Sequence, residues 1–308
     1  MAVICSCTTG ISNFGQPECV NAFARASRLI YVNYRDNSGA INSIASTDAL
    51  DSSYIEGKLN NTDKSKRWYL TGTINDVTHE RGDAVTQDVD GLAQIVRQGQ
   101  KSFNGTFWGG IASPKFVEAL DSIACRQMGV YIVDVEGNLI GIELTDGSLA
   151  PIKIQRNTIY SKFIEPTADQ LNGVMTQFNW EENERDSDIS YISSGSISVD
   201  LLSSKAMTTV TISNVTGIST TTATFDMAFV YGEFANKEVY TGAVSGDFTF
   251  ADSSGTPILI TSVTENPAGS GTYDLVFPVQ SSGTYSLSYQ KTTGAGFETV
   301  EDAEVVIP

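Results

Sequence analysis

Three cysteines stand close together near the start of the sequence, Cys5, Cys7 and Cys19, with Cys125 far downstream as a candidate fourth ligand. Thiolates are the ligands zinc prefers, so the group is a metal candidate. Its spacing, C-x-C-x11-C, matches no standard pair-of-pairs arrangement. Gly10, Gly15 and Pro17 make the segment irregular. The expectation is therefore three small residues in an ordered amino-terminal segment, with no metal. His79 is the only imidazole, which excludes multi-histidine metal sites within one chain. Any Ser-His-Asp triad would have to pass through it, yet Asp76-Val77-Thr78-His79-Glu80-Arg81 carries no motif. The expected His79 is a polar loop or strand-end residue. Glu181-Glu182-Asn183-Glu184-Arg185-Asp186-Ser187-Asp188 offers oxygen ligands of the kind calcium takes. It lacks the glycine and the spacing of a calcium loop, so a solvated loop at a strand end is expected. Arg81-Gly82-Asp83 spells an integrin-type tripeptide, and Gly-Asp there also makes a good turn.

The sequence shows no phosphate-binding glycine loop, no nucleophile elbow and no basic stripe with aromatic spacing. No catalytic, cofactor-binding or metal residue is assigned, and the chain is expected not to be an enzyme. Acidic residues number 36 against 19 basic, a net charge of -17. That sign disfavours wrapping around DNA or binding an anionic membrane. It is compatible with a protein that must let DNA pass without sticking. No run approaches the ~18 apolar residues of a membrane helix. Met1-Ala2-Val3-Ile4-Cys5 has no basic region and no apolar stretch of signal-peptide length. The expected setting is a cytoplasm that keeps the cysteines reduced.

The elements that would position these residues are mainly strands. At roughly 100–200 residues per domain, 308 residues suggest two domains. Composition changes near residue 205: residues 206–308 carry only Lys237 and Lys291 against eleven acids, and no Cys, Trp or His. The expected domains are 1–205 and 206–308. In the first, strands are expected at 28–34, 67–74, 102–108, 129–134, 138–142, 151–154, 159–164 and 173–180. Glu136-Gly137 marks a hairpin turn. Ser113 as N-cap and Pro114 as first residue predict a helix over 114–127, with Phe116, Val117, Leu120, Ile123 and Ala124 on one apolar stripe. Residues 90–98 fit a helix or half of a hairpin equally. In the second domain, about seven short alternating strands separated by turns predict an immunoglobulin-like β-sandwich without the antibody disulfide. Gly271-Thr272-Tyr273 and Gly283-Thr284-Tyr285 are expected to open two adjacent strands through similar turns.

Four stretches carry a resemblance: Asp63-Lys64-Ser65-Lys66-Arg67-Trp68-Tyr69; Gln98-Gly99-Gln100-Lys101-Ser102-Phe103-Asn104-Gly105; residues 129–141; and Gly10–Cys19. Over most of residues 1–190 the sequence resembles structural proteins of tailed phages of Bacteroidetes type. The architecture is similar to that of major tail tube proteins of long-tailed, siphovirus-like phages. The resemblance implies a mainly β fold, with a barrel or sandwich tube module flanked by one α-helix and followed by the immunoglobulin-like sandwich. It implies self-assembly into stacked rings, commonly hexameric, forming a virion tail tube with an acidic lumen. Partners would be copies of itself, other phage tail proteins and phage DNA passing unbound, with no membrane and no cofactor. Assembly would take place in the host cytoplasm. A capsid decoration or head-fibre protein is the alternative, because it too would be acidic and strand-rich.

Overall fold

The computed structural model describes residues 23–308 apart from 91, 98, 111, 183, 233–236, 295 and 300. Cys5, Cys7, Cys19 and the Gly10–Cys19 stretch lie outside the described residues. The chain is mainly β. It divides into two units. One takes the described residues up to Lys58 with Asp63–Ser204, and the other takes Leu59–Thr62 with Lys205–Pro308. The second unit thus includes a four-residue piece outside the expected range 206–308.

In the first unit the strands are β1 (Ala26–Asn33), β2 (Tyr69–Leu70), β3 (Asn75–Arg81), β4 (Val85–Val89), β5 (Leu92–Arg97), β6 (Lys101–Trp108), β7 (Met128–Asp134), β8 (Leu139–Glu143), β9 (Leu149–Ala150), β10 (Ile152–Lys153), β11 (Tyr160–Ile164), β12 (Gly173–Asn179) and β13 (Ile189–Ile192). The helices are α1 (Ser52–Leu59) and α2 (Pro114–Ala124). One sheet runs β13-β8-β7-β1-β2, with β10 beside β7 and β9 beside β8; the other runs β11-β12-β6-β3. Their inner faces share one core, in which Leu29, Tyr31, Val130 and Ile132 meet Phe103, Phe107, Val174 and Phe178. β1 from Leu29 to Val32 and β7 from Met128 to Val133 run without a charged residue because both of their faces are covered. On the outer face the Trp68 ring packs on Tyr131 at 5.5 Å, and Tyr54 of α1 packs on Trp68 at 6.4 Å.

Trp68 also explains why the expected strand 67–74 is cut short. Its indole is buried in that outer layer, and only Tyr69 and Leu70 pair, with Tyr31 and Ile30. The chain then re-forms a strand, β3, in the opposite sheet.

A row of small residues crosses the second sheet. Ser161, Thr176 and Gly105 are cross-strand neighbours on β11, β12 and β6. Ser161 and Thr176 are buried, and the Tyr31 hydroxyl reaches toward Thr176 from the facing sheet. Large residues fill the rows on either side: Phe163, Val174 and Phe107 on one, Phe178 and Phe103 on the other. Helix α2 starts as its sequence predicts, with Ser113 Oγ accepting from the Phe116 N–H at 3.2 Å. It ends at Ala124, short of residue 127; Leu120 is buried, and the Phe116 ring meets Phe107 edge-on at 5.1 Å.

Residues 92–97 form a strand, so the open choice over 90–98 falls to the hairpin. β4 and β5 pair with each other and with no other strand among the described residues. They continue the β3–β6 pair outward as a two-stranded arm. Asp90, which precedes Gly91 in the sequence, has φ +54, as an Asp-Gly hairpin turn requires.

The second unit contains β14 (Thr208–Ser219), β15 (Thr222–Gly232), β16 (Lys237–Val239), β17 (Phe248–Asp252), β18 (Pro257–Ile258), β19 (Ser262–Glu265), β20 (Thr272–Val276), β21 (Gly283–Lys291), β22 (Phe297–Thr299) and β23 (Ala303–Ile307). The group β18-β17-β21-β23 faces the group β22-β14-β15-β20-β19, and a β21–β22 pairing joins them. Phe225 meets Phe248 at 5.5 Å and Phe250 meets Phe277 at 4.8 Å across the core. The two Gly-Thr-Tyr strands, β20 and β21, lie in opposite groups rather than side by side. Both tyrosines, Tyr273 and Tyr285, point into the shared core. Asn60 belongs to this unit: its Nδ2 donates to the carbonyls of Thr292 and Gly294 at 3.0 and 3.1 Å.

Candidate functional site

Strand alternation sends Ile132 and Ile140, partners across β7 and β8, to the inner face of the first sheet. With Ile142, Ile152 and Trp180 they form the floor of a cavity of about 600 Å³ within the first unit. Its mouth carries four cations, Arg25, Arg81, Lys101 and Arg185, and three carboxylates, Glu80, Glu184 and Asp186. The local excess is one positive charge, in a chain of net charge -17.

The acidic run after β12 is tied down rather than merely solvated. Asp186 pairs with Arg81 at 3.2 Å and with Lys101, which also donates to Glu184 O at 3.0 Å. Glu181 pairs with Lys153 at 3.4 Å. The hydrogen bond from Lys101, above all, holds the Asp186 carboxyl below the usual carboxylate range. Glu184 goes the other way: burial raises it, against the pull of Lys153 and Lys101. The segment is the expected exposed loop at a strand end, and β3 and β6 end beside it and supply its counter-charges. Arg81 of the Arg-Gly-Asp tripeptide is one of them, and Gly82 N–H bonds to Gln100 O at 2.9 Å at the base of the arm.

His79 sits on β3 at the same cavity, one side in water and the other edge-on to Phe103 at 5.0 Å. Its drier side lowers its pKa. Among the described residues it has no hydrogen bond or ion pair, so no hydroxyl or thiol is assembled with it. Cys125 is exposed at the end of α2. Among the described residues no group of three His, Cys, Asp or Glu side chains could hold a metal. The grouping of Arg25, Lys101 and Arg185 has no local signal, because the packing of two sheets brings together positions far apart in sequence. What the site offers is an apolar hollow with a lip of mixed charge.

No family model matches the sequence, and no curated protein matches it. Among solved structures, the chain is similar to one from the cryo-EM structure of the anti-feeding prophage (AFP) baseplate, 6-fold symmetrised. The TM-score is 0.27 with 10% identity, over 57% of this chain and 97% of that one.

Proposed function

We propose that this protein is a structural component of a phage particle that assembles with copies of itself into the stacked rings of a tail tube. The observation that carries the reading is a surplus of carboxylates, 36 against 19 cations, on a mainly β fold with open strand edges. A wall built from repeated acidic subunits repels phosphates and lets DNA slide. Repulsion between copies must then be overcome by specific contacts, and open edges supply backbone groups for them. β3 is such an edge: it pairs only with β6 among the described residues. The second unit is read as an immunoglobulin-like module. The chain has no enzymatic role, and its partners are its own copies and other tail proteins. Electron microscopy of concentrated purified protein tests this. Rings or tubes are expected; isolated monomers or trimers would move the assignment to a capsid-surface protein.

A further inference from the structure

We infer that the core of the first unit binds an internal water molecule between its two sheets, held by the hydroxyls of Tyr31, Ser161 and Thr176. Tyr31 comes from β1 in one sheet, and Ser161 and Thr176 come from β11 and β12 in the other. Their exposures are 1%, 8% and 0%, and none of the three hydroxyl oxygens has a hydrogen-bond partner among the described residues. Buried polar groups are almost always satisfied, because a hydroxyl taken out of water and left unpaired costs stability. The three also sit together. Ser161 and Thr176 are directly opposite each other across β11 and β12. Burial raises the Tyr31 pKa and the Thr176 hydroxyl pulls it back, so these two side chains are near neighbours, yet no hydrogen bond joins them. A shared partner that reaches all three accounts for each at once.

Water is the ligand that fits. A water accepts two hydrogen bonds and donates two, and buried waters typically make about three, to groups otherwise unsatisfied. The small row gives it room, since phenylalanines and Val174 fill the rows on either side. Ile74 closes the row at its β6 end: a Cβ on Gly105 would sit 2.5 Å from Ile74 Cδ1. No charged side chain shifts Tyr31, so nothing at the site would balance an ion. The bound water joins β1 to β11 and β12 through hydrogen bonds, inside a core built mainly of apolar side chains.

A density map of the unmodified full-length protein, fine enough to show ordered water, tests this. One peak is expected within hydrogen-bond distance, about 2.7–3.0 Å, of all three hydroxyl oxygens. An empty site, or Tyr31 bonded directly to Thr176, overturns the inference. The energetic test is a double-mutant cycle on Tyr31→Phe and Ser161→Ala, read as unfolding free energies in urea. Because the water links two hydroxyls that do not bond each other, the double variant should lose clearly less than the sum of the two single losses. Additive losses overturn the inference, because a direct bond between Tyr31 and Thr176 leaves Ser161 uncoupled. Each substitution removes one oxygen and adds no bulk, which keeps the fold intact for the comparison.

Discussion

Arg28 Nη1 donates to the main-chain carbonyl of Leu201 at 2.8 Å, across 173 positions of sequence. The same nitrogen meets Leu202 O at 3.0 Å and Ser204 O at 2.8 Å, and Nε meets Thr71 O at 2.7 Å. Arg28 is only 7% exposed, and burial lowers its pKa against the raising effect of Asp200. One side chain thus fastens the last residues of the first unit to β1. Arg28→Met leaves these carbonyls without their donor and should cost about 2–4 kcal/mol in urea unfolding. Cleavage near residues 201–204 in limited proteolysis should accelerate. Arg28→Lys should recover only part of the loss, since an ammonium lacks the planar fork. Unchanged stability and cleavage in Arg28→Met would show that the segment is held by other means.

Leu120 is the buried member of the α2 stripe, at 3% exposure. Leu120→Ala should destabilise the first unit by about 2–5 kcal/mol, the range for buried leucines. Glu118 on the same helix is exposed, and Glu118→Ala should leave the unfolding midpoint nearly unchanged. A loss well under 1 kcal/mol for Leu120→Ala would contradict its burial against the sheets.

Asp186 and Glu184 should give opposite pH signatures. The Asp186 carboxyl is held below its ordinary 3.8, first by the hydrogen bond from Lys101. Its contribution is present above 3.8 and fades as pH falls through the lower folded value. Glu184 is raised above its ordinary 4.5, first by burial. Its ionisation therefore opposes folding, by an amount absent well below 4.5 and complete above the raised value. Asp186→Asn should lower stability at neutral pH, with the difference vanishing in strong acid. Glu184→Gln should raise stability at neutral pH, with the gain disappearing below 4.5. Unfolding curves from neutral pH down into strong acid read both, and a reversed sign in either variant would refute the assignment.

Gly141 on β8 lies against β9, where a Cβ would sit 2.5 Å from Ala150 O. The obstacle is backbone, so it cannot swing aside. Gly141→Ala should cost about 1–3 kcal/mol through forced separation of the strands. Thermal unfolding compared with Gly147→Ala in the turn separates the two causes: Gly147 has open space but φ +77, so its loss is conformational only.

Alternation made β6, β12 and the β7–β8 hairpin legible in the sequence, because inward and outward side chains differ there. Ser113 and Pro114 likewise announced α2. Helix α1 escaped notice: it spans eight residues, and its one clear sign is Asp51, whose carboxylate accepts from Tyr54 N–H at 2.8 Å. β3 escaped because Asn75–Arg81 is a polar, largely exposed edge strand held by backbone pairing rather than burial. Asp90-Gly91 was the available hint for the arm. Asn60 carries no local sign that it joins the second unit; its amide finds Thr292 and Gly294 only in three dimensions. The cavity was illegible for a similar reason. Arg81 and Lys101 are cross-strand partners on β3 and β6, and the packing of the sheets brings Arg25 and Arg185 beside them.

The small row of Ser161, Thr176 and Gly105 beneath Tyr31 works as a keyway. Slide one sheet past the other by a single row and the phenol collides with Val174 and Phe107, or with Phe178 and Phe103. The relative alignment of the sheets is therefore discrete: there is one seated position and no gradual drift around it. A protein used once could tolerate drift. In the stacked assembly proposed above, small differences in subunit width would accumulate along the stack, and a keyed core would make every copy the same gauge.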